Sequence, residues 1–318
     1  MEKQLKKVFE QNNIPLTAVP YIIILILIHK KGMSLEEFIT KNQLENQEII
    51  RKVYSIYEEY MNKELIQSLD GIITEDININ NYFYNSISTR DNNSIVITPE
   101  YVADLMIDLL RINEESIILD GCCGAGALLN KAIMKKSKII GIEKNIEMWG
   151  LSYLYLTLKQ NKKAKIIYGD TFEELKHISD KVTHGILNPP YNLKNKGMEF
   201  VLPILNKLEY AGRMAVIVPS SVGNGISGEI NKEILKKHTL FASIKMPVDL
   251  FVPYASVQTN IYIFVAHIPH DINTNVRIVD FTDDGMKRTK RGISIRDSNK
   301  YNELKEILKY NEIRKIGN

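Results

Sequence analysis

Between residues 116 and 266, short runs of apolar, β-branched residues alternate with stretches of helical period, and that pattern leaves few folds open. Residues 116–120, 138–143, 164–168, 184–187 and 213–218 read as buried strands. Residues 127–136 and 146–159, with a stretch near 198–210, read as the helices between them. Parallel pairing needs crossovers of this length, so the expected architecture is α/β, a doubly wound Rossmann-like sheet. Residues 241–246 and 259–266 are expected as two further strands, and past Arg277 the chain turns polar and basic.

Size and charge narrow the class further. The chain has 318 residues, and its 41 Lys and Arg against 38 Asp and Glu leave a net charge of +3. Hydrophobic residues make up 44% and charged residues 25%, which excludes global disorder and collagen-like repeats. Such a length suits two domains, or one large domain with an appendage, and needs no disulfide or metal staple. Cys122 and Cys123 are adjacent, a poor geometry for a disulfide, so a reducing compartment is expected. The longest apolar run, residues 22–28, falls well short of the ~20 residues that span a bilayer, and no signal-peptide cleavage site follows it. A soluble cytoplasmic protein with no membrane partner is the expectation.

Residues 1–90 read as a helical N-terminal domain. Lys30, Lys31 and Gly32 make a helix end after the apolar run, and Ser34 with Glu37 fits a capping box. Residues 46–69 place Ile49, Ile50, Val53, Ile56, Tyr57, Tyr60 and Met61 at helical spacing. These features point to packing and partner docking. Residues 76–93, dense in Asn and Ser, read as a connector. The expected division is a helical domain over 1–90, a catalytic domain over 91–276 and a basic segment over 277–318.

Two turns carry the chemistry. Asp120-Gly121-Cys122-Cys123-Gly124-Ala125-Gly126 joins the first strand to a helix, where glycines admit a ligand close to the backbone and the helix start presents unpaired N–H groups. Glu143 ends the next strand, 143 − 120 = 23 residues on, near the ~20-residue spacing of a ribose-binding carboxylate. Any tight strand-to-helix turn can use glycine, so this turn alone is weak. No Gly-Lys-Ser/Thr follows, which argues against a P-loop. The cysteines read as small packed turn residues, and the six histidines show no ligand spacing, so no metal is expected. After the third strand, Asp170 can accept from an adenine amine with Phe172 as a stacking surface. A capped helix start at Asp170 or Thr171 is a compatible reading.

The second turn, Asn188-Pro189-Pro190-Tyr191, directly follows the strand 184–187 and should border the ligand crevice. Two prolines remove two N–H groups and stiffen the chain. An exocyclic aryl amine has its lone pair delocalised into the ring. The Asn188 side-chain oxygen and the Pro189 carbonyl can hold its hydrogens out of plane, while Tyr191 stacks on the ring. A rigid turn capping a strand is the plain alternative for the tetrapeptide taken alone.

With these residues in this order, the chain resembles an amino-group (N6-adenine) DNA methyltransferase, especially the modification subunits of type I restriction–modification systems. The resemblance covers roughly residues 95–265. It implies a seven-stranded, S-adenosyl-L-methionine-dependent methyltransferase fold, with residues 241–266 as its closing antiparallel part. It assigns Thr98, and less directly Pro99, to the methionine end of the cofactor, from the segment "ITPEYVADLMIDLL". The turn Asp120, Gly121, Cys122, Gly124 and Gly126 would line the cofactor, with Gly121 standing where many relatives have Pro. Glu143 would hold the ribose, Asp170 and Phe172 the adenine, and Asn188 would border the donor as well as act in catalysis with Pro189, Pro190 and Tyr191. "KMPVDLFVPYASVQTNIYIFV" resembles the late motif that gives a second face to a flipped base, with Phe251 as the candidate.

Only about fifty residues follow the last expected strand, too few for a target-recognition domain. They include Lys287, Arg288, Lys290 and Arg291, a run suited to phosphate contacts with double-stranded DNA. The resemblance therefore implies a separate specificity subunit, held in part by the helical domain, and a possible restriction subunit. Rival readings are a release-factor glutamine N5-methyltransferase, an RNA adenine methyltransferase, a cytosine amino-methyltransferase and a non-enzymatic scaffold.

Overall fold

The apolar runs form one mixed sheet. In the computed structural model, residues 2–80, 82, 98–160, 162–225, 227–252, 256–271, 273–289, 292–297 and 299–309 are described. Strand β1 (Ile117–Asp120) lies between β2 (Lys138–Glu143) and β4 (Val182–Leu187), parallel to both. β3 (Lys165–Tyr168) extends the sheet beyond β2, and β5 (Leu208–Pro219) beyond β4, again in parallel. β7 (Thr259–Val265) runs antiparallel between β5 and β6 (Thr239–Lys245). The chain thus steps outward from β1 on one side and returns to β4 on the other. The order reverses at β1 and β4, and the crevice beyond their carboxyl ends is where an open α/β sheet takes its ligand.

The sheet has eight strands, ordered β3-β2-β1-β4-β5-β7-β6-β8, where the resemblance implies seven. The extra strand, β8 (Arg277–Asp280), pairs in parallel with β6 and covers ladder groups that an edge would leave open. Its run Arg277-Ile278-Val279-Asp280 holds only two apolar residues, and the polar residues around it hide it in a basic stretch. Beyond it, β9 (Met286–Thr289) and β10 (Gly292–Ile295) pair antiparallel.

The helices mostly match the expected periods. Ser34 Oγ accepts from the Glu37 N–H at 3.2 Å and Glu37 Oε2 accepts from the Ser34 N–H at 2.7 Å, completing the capping box of the helix Leu35–Lys41. Residues 46–69 form two helices, Gln47–Glu58 and Lys63–Asp70, instead of one continuous stretch. Asn62 starts the second by accepting from the Leu65 N–H at 2.9 Å, an N-cap that a pattern of apolar spacing does not register. The helices Glu100–Leu110, Gly228–Lys237 and Lys300–Lys309 were not expected. The connector over 76–93 falls mostly outside the described residues.

The helix Ile146–Gln160 explains the apolar run near the N-terminus. It is buried along most of its length, between the sheet and the helices Val19–Lys30 and Gln47–Glu58. Trp149 Nε1 donates to the Ile166 carbonyl at 3.0 Å, and the Tyr153 hydroxyl accepts from the Glu45 N–H at 3.1 Å. Val19–Lys30 is buried from Val19 through Ile28 because it is covered on all sides, so it carries no polar face. Leu5, Ile24 and Tyr54 belong to one buried cluster with Leu154, Ile118 and Ala215. Among the described residues no single helix is long and apolar enough to cross a membrane.

Candidate active site

The parallel register brings both turns to one edge. Asp120 pairs with Gly141, two residues before Glu143, and Leu119 pairs with Gly185, three before Asn188. Neighbouring strands lie about 4.8 Å apart, so Glu143, Asp120 and Asn188 stand at successive strand ends around the switch point.

Two glycines of the first turn are constrained, one by its backbone conformation and one by packing. Gly126 has φ of +81° and precedes the helix Ala127–Met134; a Cβ there would lie 2.9 Å from Leu156 Cδ1. At Gly121 a Cβ would come within 2.8 Å of Ile204 Cδ1 and 2.9 Å of Thr171 Cγ2, so close packing explains this residue. By contrast, a Cβ on Gly124 would meet nothing within 4 Å, which leaves the backbone open on the crevice side.

The acids differ in environment. Asp120 is fully buried and accepts from the Cys122 N–H at 3.0 Å. Burial, reinforced by the charge of Glu143, pushes its carboxyl up to about 7 despite that hydrogen bond. Glu143 accepts from the Gly124 N–H at 2.9 Å and the Asn145 N–H at 2.7 Å, and burial raises its pKa as well. The carboxylate therefore braces the glycine turn while standing at the crevice. Cys122 and Cys123 are free thiols, both raised by burial. Among the described residues no group of three potential metal ligands comes together.

Asp170 is exposed and caps its helix by accepting from the Phe172 N–H at 3.0 Å. Phe172 is 41% exposed, with Phe200 stacked behind it at 5.0 Å. One face of Phe172 is thus supported and the ring still offers open surface. Phe200 has no signal in the sequence, because it reaches the ring from a separate segment. The residues present fit an adenosine-bearing cofactor: open backbone at Gly124, a carboxylate at the second strand end, and an exposed aromatic ring beside Asp170.

The second turn is held from three sides. Asn188 Nδ2 donates to the buried Thr98 Oγ1 at 2.9 Å, which fixes the side-chain oxygen on the opposite side. The Tyr191 hydroxyl lies 2.9 Å from Asn188 Oδ1 and 3.1 Å from the Ile217 carbonyl, and its one O–H serves these two acceptors. Burial pushes the Tyr191 phenol above its ordinary value, so it stays a neutral donor. Gly197 has φ of +94°, and a Cβ there would sit 2.4 Å from Pro189 Cγ. The diproline therefore rests against a position that only glycine can occupy, a seat the sequence reading missed.

Two expected roles are revised. Arg288 is not offered to a phosphate: its side chain is 1% exposed, with Asp284 Oδ1 and Asp249 Oδ1 each at 3.2 Å and Tyr101 Oη at 2.6 Å from Nε. A buried guanidinium with partners on three sides, of which Asp284 is buried as well, is a structural element, and the Tyr101 hydroxyl passes the chain on by donating to the Leu250 carbonyl at 2.9 Å. Phe251 lies beside Tyr191, edge to face at 6.5 Å, yet is 3% exposed, so its own faces are covered here. Lys287 is exposed, and Lys290 and Arg291 lie outside the described residues.

A parallel sheet reversed at one end by β7, with a glycine turn after β1, is the fold of S-adenosyl-L-methionine-dependent methyltransferases. The modification subunit of a type I restriction enzyme from Vibrio vulnificus superposes with a TM-score of 0.60 at 19% identity, over 80% of this chain and 64% of that one. The type I methyltransferase subunit from Streptococcus thermophilus gives 0.61 at 17% identity, over 91% and 73%. The profile of the N-6 DNA Methylase family matches residues 78–199 and 193–315, and the chain belongs to that family. The type II restriction enzyme and methyltransferase RM.BcgI of Heyndrickxia coagulans is 30% identical over 218 residues, or 60% of this chain and 34% of that protein. The chain thus spans about a third of that curated relative's length.

Proposed function

We propose that this chain transfers a methyl group from S-adenosyl-L-methionine to the N6 amine of an adenine flipped out of double-stranded DNA. It would act as the modification subunit of a restriction–modification system, in the cytoplasm. The observation that carries the reading is the fixed Asn188 corner, held by Thr98 and Tyr191 one strand away from the glycine turn. Thr98, Asp120, Gly121, Cys122, Gly124, Gly126, Glu143, Asp170, Phe172 and Asn188 would line the cofactor, whose sulfonium supplies an electrophilic methyl group.

The chain's own part is positioning. Because Thr98 takes the Asn188 amide nitrogen, Oδ1 faces the Tyr191 side as an acceptor. Paired with the Pro189 carbonyl, it would hold the two amine hydrogens out of the ring plane and so localise the nitrogen lone pair. Such preorganised acceptors act where positive charge grows on the amine, and they need no strong base. Tyr191 would stack on the base, with Phe251 beside it after a local rearrangement that uncovers its ring. Lys287, with Lys290 and Arg291, would contact phosphates without reading sequence, so a separate specificity subunit would choose the site.

Sequencing genomic DNA for modified adenines from cells carrying either the natural gene or its Asn188→Ala form tests the reading with every partner present. The expected result is a set of modified sites that disappears in the variant. An identical adenine pattern in both would refute it. Tritiated methyl transfer to release factor or RNA instead of DNA would favour a rival substrate.

A further inference from the structure

A cavity of about 290 Å³ opens at the amino edge of the sheet, away from both turns. Its wall includes Arg111, His184, Glu209, Tyr210, Gly212 and Arg213. His184 sits near the start of β4 and Asn188 follows its end; 188 − 184 = 4 residues of extended chain separate them by about 13 Å. The cavity is therefore no part of the crevice at the carboxyl ends.

Its charge is concentrated. Arg213 shares its face of β5 with Ala215 and Ile217, on the side of the sheet covered by the helix Glu100–Leu110. Arg111 follows the last turn of that helix, where a cation also meets the helix dipole favourably. Arg277, on β8, lies over the Phe241 ring at 4.4 Å, and Arg213 approaches the same ring at 5.5 Å. Among the described residues the Arg213 side chain makes neither an ion pair nor a hydrogen bond, although its guanidinium carries five donors and the residue is half-buried. Burial lowers its pKa, and the charges of Arg111 and Arg277 lower it further. Burial, then the charge of Arg213, also holds the His184 imidazole down at about 4, so it is neutral at physiological pH. Glu209 is the one carboxylate in the wall.

A positive cluster of this kind, half-buried at Arg213 and exposed at Arg111, suits an anion with several acceptor oxygens, and guanidinium groups match a phosphoryl group better than a point charge does. The cavity exceeds what a phosphate alone fills and approaches the roughly 300–1,000 Å³ of small-molecule sites. Tyr210, at its wall, is 75% exposed and presents an unclaimed aromatic face. We propose that this cavity binds a mononucleotide, with its phosphate between Arg111 and Arg213 and its base against Tyr210.

Calorimetric titration of the full chain tests this with uridine monophosphate, inorganic phosphate and uridine, a pyrimidine set chosen to avoid any adenine site. Uridine monophosphate should bind, phosphate at least tenfold more weakly, and uridine not measurably. Arg213→Met should weaken the nucleotide at least tenfold while the thermal transition and circular dichroism are kept. If that variant does not fold, Arg111→Met, at an exposed position, gives the same readout. Absence of nucleotide binding, equal binding of uridine, or unchanged affinity in the folded variant overturns the site. Equal affinity for phosphate and nucleotide overturns the role of Tyr210. Because methyl transfer is not measured, failure here leaves the methyltransferase reading untouched.

Discussion

Replacing Arg288 by methionine removes a guanidinium whose side chain is 1% exposed and leaves Asp284, 2% exposed, as a buried carboxylate without its cation. Tyr301 still reaches Asp284 Oδ2 at 3.3 Å and the Met286 N–H still donates to Oδ1 at 3.0 Å, but neither a phenol nor an amide neutralises a charge. Asp249 is more than a third exposed and rehydrates, so the cost concentrates on Asp284. Breaking one side of a buried pair typically costs about 3–5 kcal/mol, a factor of order 10²–10⁴ in the folding equilibrium. The molecule carries its own reporter, because Trp149 is the single tryptophan and is fully buried. Urea unfolding followed by its fluorescence should show Arg288→Met destabilised by that amount. The double variant Arg288→Met/Asp284→Leu should recover most of the loss, since the charge and its partner leave together. A single variant within about 1 kcal/mol of the natural chain would refute this reasoning, as would a double variant no better than the single.

Three further outcomes follow from the site. Asn188→Ala should weaken cofactor affinity only modestly, read by calorimetry, because it is one of ten lining residues, while turnover falls on the order of 10²–10³-fold; equal loss of both would contradict its role as an acceptor. Asp120→Asn should change the pH dependence of stability: the folded carboxyl titrates at about 7 against about 3.9 unfolded, so the natural chain loses stability as pH rises between those values. The variant should lack that loss, gaining on the order of 4 kcal/mol at most at pH 8 relative to pH 3, and equal gains at both pH values would contradict it. Gly197→Val should unseat the diproline, lowering both turnover and melting temperature, because φ of +94° and the 2.4 Å approach to Pro189 Cγ admit no side chain; an unchanged melting temperature would count against it.

The strands β1 to β4 were legible because each is a short apolar run ended by a turn with candidate site residues; β5 was legible only from Arg213, since it starts at Leu208, where helical period was read as far as 210. β8 was not, since Arg277 and Asp280 flank only two apolar residues and its pairing with β6 is a tertiary fact. The corner Asn188–Tyr191 could be read for its chemistry, yet its holders Thr98, Ile217 and Gly197 come from three other segments. The run of basic residues misled at Arg288 because charge in a sequence does not report burial. Its partner Asp284 lies four residues earlier, but Tyr101 comes from 288 − 101 = 187 residues away.

The roof that Val19–Lys30 and Gln47–Glu58 place over Ile146–Gln160 has a practical corollary. Gly150 faces Val53 so closely that an added Cβ would lie 3.3 Å from its methyl, an intimacy found inside a protein and not between parts that merely touch. Trimming the chain back to its sheet would expose the apolar length of Ile146–Gln160 to water, and the remnant should aggregate. Whatever borrows this scaffold must take the leading helices with it.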